Sequence, residues 1–135
     1  MRKNSLLVRN VTKETVLCVR GFVADTIWER SAGMMFRRKW GKMDGLLLRP
    51  CSSIHTFWMW MPIDVCFLDG CSRILRVVST LAPWRVALGK RGTFATLELP
   101  SGTLERTGTV SGDQLIFDAG SVSMDRRIDL PRQAC

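Results

Sequence analysis

The chain has 135 residues, 46% of them hydrophobic and 24% charged, with a net charge of +8 at pH 7 and a sequence pI near 10. That apolar content excludes a disordered chain, and the length suits one domain with one real core. No apolar run approaches the ~20 residues that cross a bilayer, and the Met1-Arg2-Lys3-Asn4 start lacks signal-peptide features. The expected compartment is therefore the cytoplasm.

Leu6 to Val11 and Thr15 to Val23 read as strands, joined by Thr12-Lys13-Glu14 as a hairpin loop. Asp25 resembles a helix N-cap, and Ile27, Trp28, Ala32, Met35 and Phe36 follow at helical spacing. These predict a helix over residues 25–36. From Gly45 the pattern turns to short strands. Gly45 to Arg49 stops at Pro50, and Thr56 to Met61 stops at Pro62. Ile63 to Leu68 closes on the turn pair Asp69-Gly70, and Arg73 to Leu81 ends before Pro83. Thr93 to Leu99 alternates until Pro100-Ser101-Gly102, a helical turn fits Thr103 to Thr107, and Gln114 to Phe117 is the last strand.

Many short strands at near-regular spacing predict a mainly β fold, a small antiparallel β-sandwich or distorted barrel with one packed helix. The turns are too short for helices that join parallel strands. Residues 1–118 are expected to form a single β-rich domain and residues 119–135 a loose tail.

Five cysteines occur, at 18, 51, 66, 71 and 135, with no Cys-x-x-Cys pair. Paired zinc knuckles and a thioredoxin motif are thereby excluded, and reduced core thiols are expected. Cys135, expected to be exposed, could cross-link two chains on oxidation. The basic excess is densest at Arg37-Arg38-Lys39, with Lys42 nearby, but no run of four basic residues occurs. Contact with nucleic acid or an assembly partner is thus an alternative rather than the leading reading.

Residues 51–69 hold the one histidine, His55, with Trp58, Trp60, Met59 and Met61. On a single extended strand Cys51, His55, Met59 and Met61 would share a face, a soft set suited to Cu(I). Core-filling methionines and a hydrogen-bonded histidine account for the same pattern, so no metal and no cofactor are expected. His55 could serve Cys51 or Ser53 as a base, with Asp64 or Asp69 as orienter. No Gly-x-Ser-x-Gly elbow or phosphate loop occurs, and a hydrolase-like enzyme using His55 stands as an alternative.

Arg30, Asp64 and Glu98 each sit among apolar residues. Such charges form a structural ion pair, or the polar floor of a cleft with Trp58, His55 and Arg30 at its mouth. The leading reading is a non-catalytic binding domain for a small ligand or peptide. Its site would comprise Arg30, His55, Trp58, Met59, Asp64 and Glu98, with no catalytic residue; oligomeric state is not readable.

The segments Ala24 to Arg30, Gly33-Met34-Met35-Phe36-Arg37 and Gly45-Leu46-Leu47-Leu48 carry a further signal. So do Ser53 to Met59, Pro62-Ile63-Asp64-Val65, Phe67-Leu68-Asp69, Leu97-Glu98-Leu99-Pro100 with Gly102, and Gly112-Asp113. In this order and spacing the chain resembles the bacterial and archaeal family known as domain of unknown function 192, over about residues 19–117. The resemblance implies a compact, mostly β domain of uncharacterised function. Some relatives carry secretion signals, and some are encoded beside pilus-assembly genes. Trp60-Met61 departs from the family, in which a basic or polar residue often follows the Phe-Trp-Met segment.

Overall fold

The computed structural model describes residues 5–24 and 38–119. The helix expected over residues 25–36 and the tail from residue 120 onward lie outside them. In chain order the described elements are β1 (Leu6–Asn10), β2 (Thr15–Ala24), β3 (Gly45–Leu48), β4 (Ser53–His55) and β5 (Ile63–Leu68). They continue with β6 (Ile74–Leu81), β7 (Val86–Leu88), β8 (Ala95–Pro100), the helix α1 (Thr103–Thr107) and β9 (Leu115–Ala119). Seven strands form one sheet in the order β6-β5-β8-β3-β2-β1-β9, and β4 pairs with β7 in a separate ribbon.

The mainly β prediction holds, and the sheet curls into a half-barrel. An isolated bridge between Arg73 and Gln114 brings the ends of edge strands β6 and β9 together. The Ile74 N–H donates to the Asp113 carbonyl at 2.9 Å, and the Leu115 N–H to that of Ser72 at 3.0 Å. Pairing is antiparallel except between β2 and β3, which run parallel. The strands are thus mostly antiparallel, as expected, with one parallel pair. The chain between Ala24 and Gly45 has the length of a crossover.

The central strands β3, β5 and β8 are buried almost without interruption. Half-buried strands alternate; unbroken burial means both faces are covered. Residues directly opposite each other in a sheet share a face, so the register sorts the two sides. Leu97 lies opposite Leu47 and Cys66, on a core that gathers Leu6, Val8, Leu115 and, from α1, Leu104. Glu98 lies opposite Leu46 and Val65, on the face where Leu48, Ile63, Phe67 and Met59 pack with Ile54 and Ala87 of the ribbon.

Two departures from the expected elements shape the site. The strand expected over Thr56 to Met61 is a turn instead, because Trp58 has φ 67° and takes the chain out of extended geometry. The proposed shared face of Cys51, His55, Met59 and Met61 therefore does not exist: β4 spans only Ser53–His55. Strand β7 has three residues, too few for an alternating pattern to register in sequence.

At the β1 end a polar knot is buried. The Asn10 side-chain amide donates to Asp113 at 2.9 Å and Thr109 at 3.0 Å, and Lys13 pairs with Asp113 at 2.8 Å. Burial works to raise the Asp113 pKa, but the hydrogen bonds from Lys13, Asn10 and the Val110 N–H outweigh it and hold it low. Stability from this group is present above its unfolded pKa and is lost as pH falls through the depressed folded value.

Gly89 follows β7, and its N–H donates to the Ser52 carbonyl at 2.8 Å, tying the ribbon down. A Cβ there would lie 2.8 Å from that same oxygen and 2.5 Å from Thr93 Oγ1. Gly89→Ala is expected to cost about 1–3 kcal/mol through overpacking, read as a lower urea midpoint at unchanged slope.

Candidate functional site

The turn after β4 is fastened by one buried residue. The Thr56 N–H donates to the Arg85 carbonyl at 2.8 Å, and its carbonyl accepts the Trp84 N–H at 2.9 Å. Its hydroxyl donates to the Ala82 carbonyl at 2.7 Å and accepts the Arg85 N–H at 2.8 Å. This clamp sets the 56–61 turn against the 82–85 turn. Met59 is 2% exposed and drops into the core beneath the ribbon, which forces its neighbours outward.

The outward residues form a shelf of rings. His55 stacks on Phe57 with centroids 5.0 Å apart, Phe57 meets Trp84 at 5.9 Å, and Trp58 meets Trp84 edge-on at 4.8 Å. The tryptophans Trp58, Trp60 and Trp84 are each about half exposed. Beside them the outer face of the ribbon shows Val86 and Leu88, 57% and 61% exposed. Basic groups edge the shelf: the Arg38 guanidinium lies 5.5 Å over the Trp60 ring, and Arg85 and Arg76 donate to the Trp84 and Leu88 carbonyls. The His55 Nδ1 accepts the Phe57 N–H at 3.3 Å, which fixes the imidazole on its own loop.

Trp84 has φ 63° and Trp58 φ 67°. Bulky side chains are rare in this region, and strain of this kind gathers at functional surfaces.

The residues expected to form one site are thus divided. His55 and Trp58 meet on the shelf, and Met59 anchors it from below. Arg30 lies outside the described residues. Asp64 and Glu98 face opposite sides of the sheet, since Asp64 is opposite Leu99 and Glu98 opposite Val65. They cannot line one floor.

Asp64 serves the fold. The β5–β6 register slips between Ile63 and Val65, and at that bulge the Thr80 N–H donates to Asp64 Oδ1 at 2.8 Å. Asp64 Oδ2 accepts the Gly102 and Leu104 N–H groups at 3.1 and 2.9 Å. Gly102 is the N-cap of α1 and has no side chain to cap with, so a carboxylate from another strand does it.

Glu98 is different. It is 4% exposed, its Oε2 is buried without a hydrogen-bond partner, and among the described residues it has no ion pair. Burial pushes its pKa up to about 8, so the carboxyl carries a proton at neutral pH. The indole N–H of Trp40, packed against the same core, is also buried and unpartnered. Burial likewise raises the thiol pKa values, that of Cys18 to about 12 with help from Asp44, so Cys18 and Cys66 are inert core thiols. Among the described residues no group of three or more His, Cys, Asp or Glu side chains could hold a metal ion. No described helix is long and apolar enough to cross a membrane.

The family model for domain of unknown function 192, described as an uncharacterised ACR, matches residues 8–117. The chain belongs to this family. The match ends at the expected residue and starts earlier than expected, taking in β1 from Val8. A UPF0127 protein of Pyrococcus horikoshii is 34% identical over 96 residues, covering 69% of this chain and 83% of the relative. Another, from Thermococcus sibiricus, is 33% identical over 113 residues, covering 81% and 73%. A crystal structure of a protein of unknown function from Novosphingobium aromaticivorans aligns with TM-score 0.70 at 22% identity, over 82% of this chain and 81% of its own. A second, described as a candidate transcription regulator from Sinorhizobium meliloti, aligns with TM-score 0.72 at 18% identity, over 85% and 95%. Both share the fold.

Two expected outcomes separate the carboxylates. Asp64→Ala strands three backbone N–H groups and should cost about 2–4 kcal/mol, with no change in ring-shelf fluorescence. Glu98 should act through pH. Its folded pKa is raised, so its stabilisation is complete below the unfolded value near 4.5 and is lost as pH rises to about 8. Urea melts should show stability falling across that window by at most roughly 5 kcal/mol, and Glu98→Gln should remove this component of the slope.

Proposed function

We propose that this protein is a non-catalytic binding domain whose ring shelf receives a polypeptide segment carrying apolar and acidic side chains. One observation carries the reading: His55, Phe57, Trp84 and Trp58 form a continuous exposed run of ring contacts beside two exposed aliphatic residues. An apolar patch of this kind, built of rigid aromatic rings, is the usual mark of a recognition surface. The aliphatic Val86 and Leu88 suit peptide side chains and offer nothing for bases to stack on. Arg38, Arg76 and Arg85 at the edge, in a chain of net charge +8, suit an acidic partner. In this reading His55 and Trp58 would contact the segment, with Met59 as the anchor that holds the rings out.

The resemblance to a candidate transcription regulator supports the other reading, a single-stranded nucleic acid stacked on the same rings. The two are separated by titrating the tryptophan fluorescence with peptides that alternate Asp with Phe or Leu, and with an oligothymidine. Trp84→Gly relieves the positive φ while deleting the central ring. It is expected to leave the melting temperature within a few degrees of wild type and to weaken peptide binding at least tenfold, as for a hot-spot tryptophan. Saturable binding of oligothymidine alone, or a Trp84→Gly protein that melts far lower yet binds peptide unchanged, would overturn the proposal.

A further inference from the structure

We propose that Glu98 is the counter-charge of a binding site for a small organic ammonium with an apolar substituent, on the sheet face opposite Asp64. The site is separate from the ring shelf, although Met59, which anchors the shelf, packs in the same core.

The argument begins with what the fold leaves unsatisfied. A carboxyl enclosed in an apolar face costs several kcal/mol unless something completes it, and native proteins seldom leave such a group alone. Asp64, one position over on the neighbouring strand, shows how completely this chain can satisfy a buried carboxylate: three N–H donors converge on it. Among the described residues no N–H donates to Glu98, and its Oε2 is buried without a partner. The groups on its face from β3, β5 and the turn after β4 are the apolar Leu46, Leu48, Ile63, Val65, Phe67 and Met59. Thr96 of β8 shares the face but gives its hydroxyl to the Cys51 carbonyl, the Cys51 thiol packs at the edge of the same core, and Arg49, which has a buried guanidinium nitrogen, forms no ion pair with Glu98. The chain has 20 lysines and arginines, yet no described one pairs with Glu98. A carboxyl without a cation is what a site needs when the ligand brings the cation.

The surroundings select the rest of the ligand. Met43 and Met59 give this core adaptable, polarisable walls that suit an alkyl or aryl substituent. Trp40 packs against the same core with its indole N–H unpartnered, adding a π face for a cation and one free donor.

The proton balance is explicit. At neutral pH the carboxyl holds its proton. When a primary ammonium enters, that proton passes to solvent, and the carboxylate accepts N–H hydrogen bonds from the ligand. One proton is released per ligand bound, so affinity should rise about tenfold per pH unit below pH 7.5 and level off near pH 8.

The test uses the full chain and n-butylammonium and phenethylammonium as probes, with n-butanol and butanoate as controls. Calorimetry in buffers of different ionisation enthalpy is expected to give saturable binding of the ammonium probes alone, with close to one proton released at pH 6.5. Carbon-detected NMR of the Glu98 carboxyl should show it deprotonating as the probe is added. Glu98→Gln, isosteric and checked by its melting curve, should abolish binding. Absence of saturable ammonium binding, or equal binding to Glu98→Gln, would overturn the proposal. So would a shift of more than one unit in the Glu98 titration on Arg30→Ala, which would assign the counter-charge to the chain itself.

Discussion

The structure depends on one constraint: its three central strands are enclosed on both faces. In β3, β5 and β8 a side chain has nowhere to go but into a core, whichever way it points. The hydrophobic effect supplies the gain, since aliphatic residues on both sides leave water together. The same enclosure makes every polar group there a matter of hydrogen-bond accounting. Asp64 and Glu98 occupy neighbouring strands one register step apart, yet they fall into different cores and meet opposite fates. One organises a bulge and a helix end. The other is enclosed in a mainly apolar core with its Oε2 unpartnered.

Enclosure also explains the ribbon. Face two of the sheet needs a cover, and Ile54 and Ala87, from the middle of β4 and β7, supply part of it. Strands this short present only one residue inward and two outward. The outward ones, with the two turns that follow and precede them, place rings and aliphatic groups in water. Thr56 makes this arrangement stiff, since its amide, carbonyl and hydroxyl all bind the facing turn. The two tryptophans at positive φ are held by that clamp and by the seating of Met59. The shelf is thus a consequence of how the core is closed.

At the other end of the barrel, polar residues do purely structural work. Asn10, Lys13, Thr109 and Asp113 satisfy one another where β1, β9 and the α1 connection converge. Among the described residues the exposed large hydrophobics beside this knot are Val11 and Val110. The family to which the chain belongs is uncharacterised, and its solved fold relatives share the architecture at low identity. A fold of this kind does not name an activity; the side chains on the shelf and around Glu98 do the discriminating.

Much of the fold was legible in the sequence because local patterns decide it. Turn residues and β-branched runs located seven of the strands, the β1–β2 hairpin and the turn at α1, and the dominance of short strands set the class. What the sequence alone could not settle were three matters of tertiary geometry. The Thr56 to Met61 segment has strand composition, but a clamp to residues 82–85 and a buried methionine bend it into a turn. The β7 strand exists only because β4 is there to pair with it. Above all, Asp64 and Glu98 look alike in sequence, each a charge in an apolar run. Only the β5–β8 register, which puts Val65 rather than Asp64 opposite Glu98, decides that they never meet. A shift of one residue reverses every face, and no local property of the chain encodes that pairing.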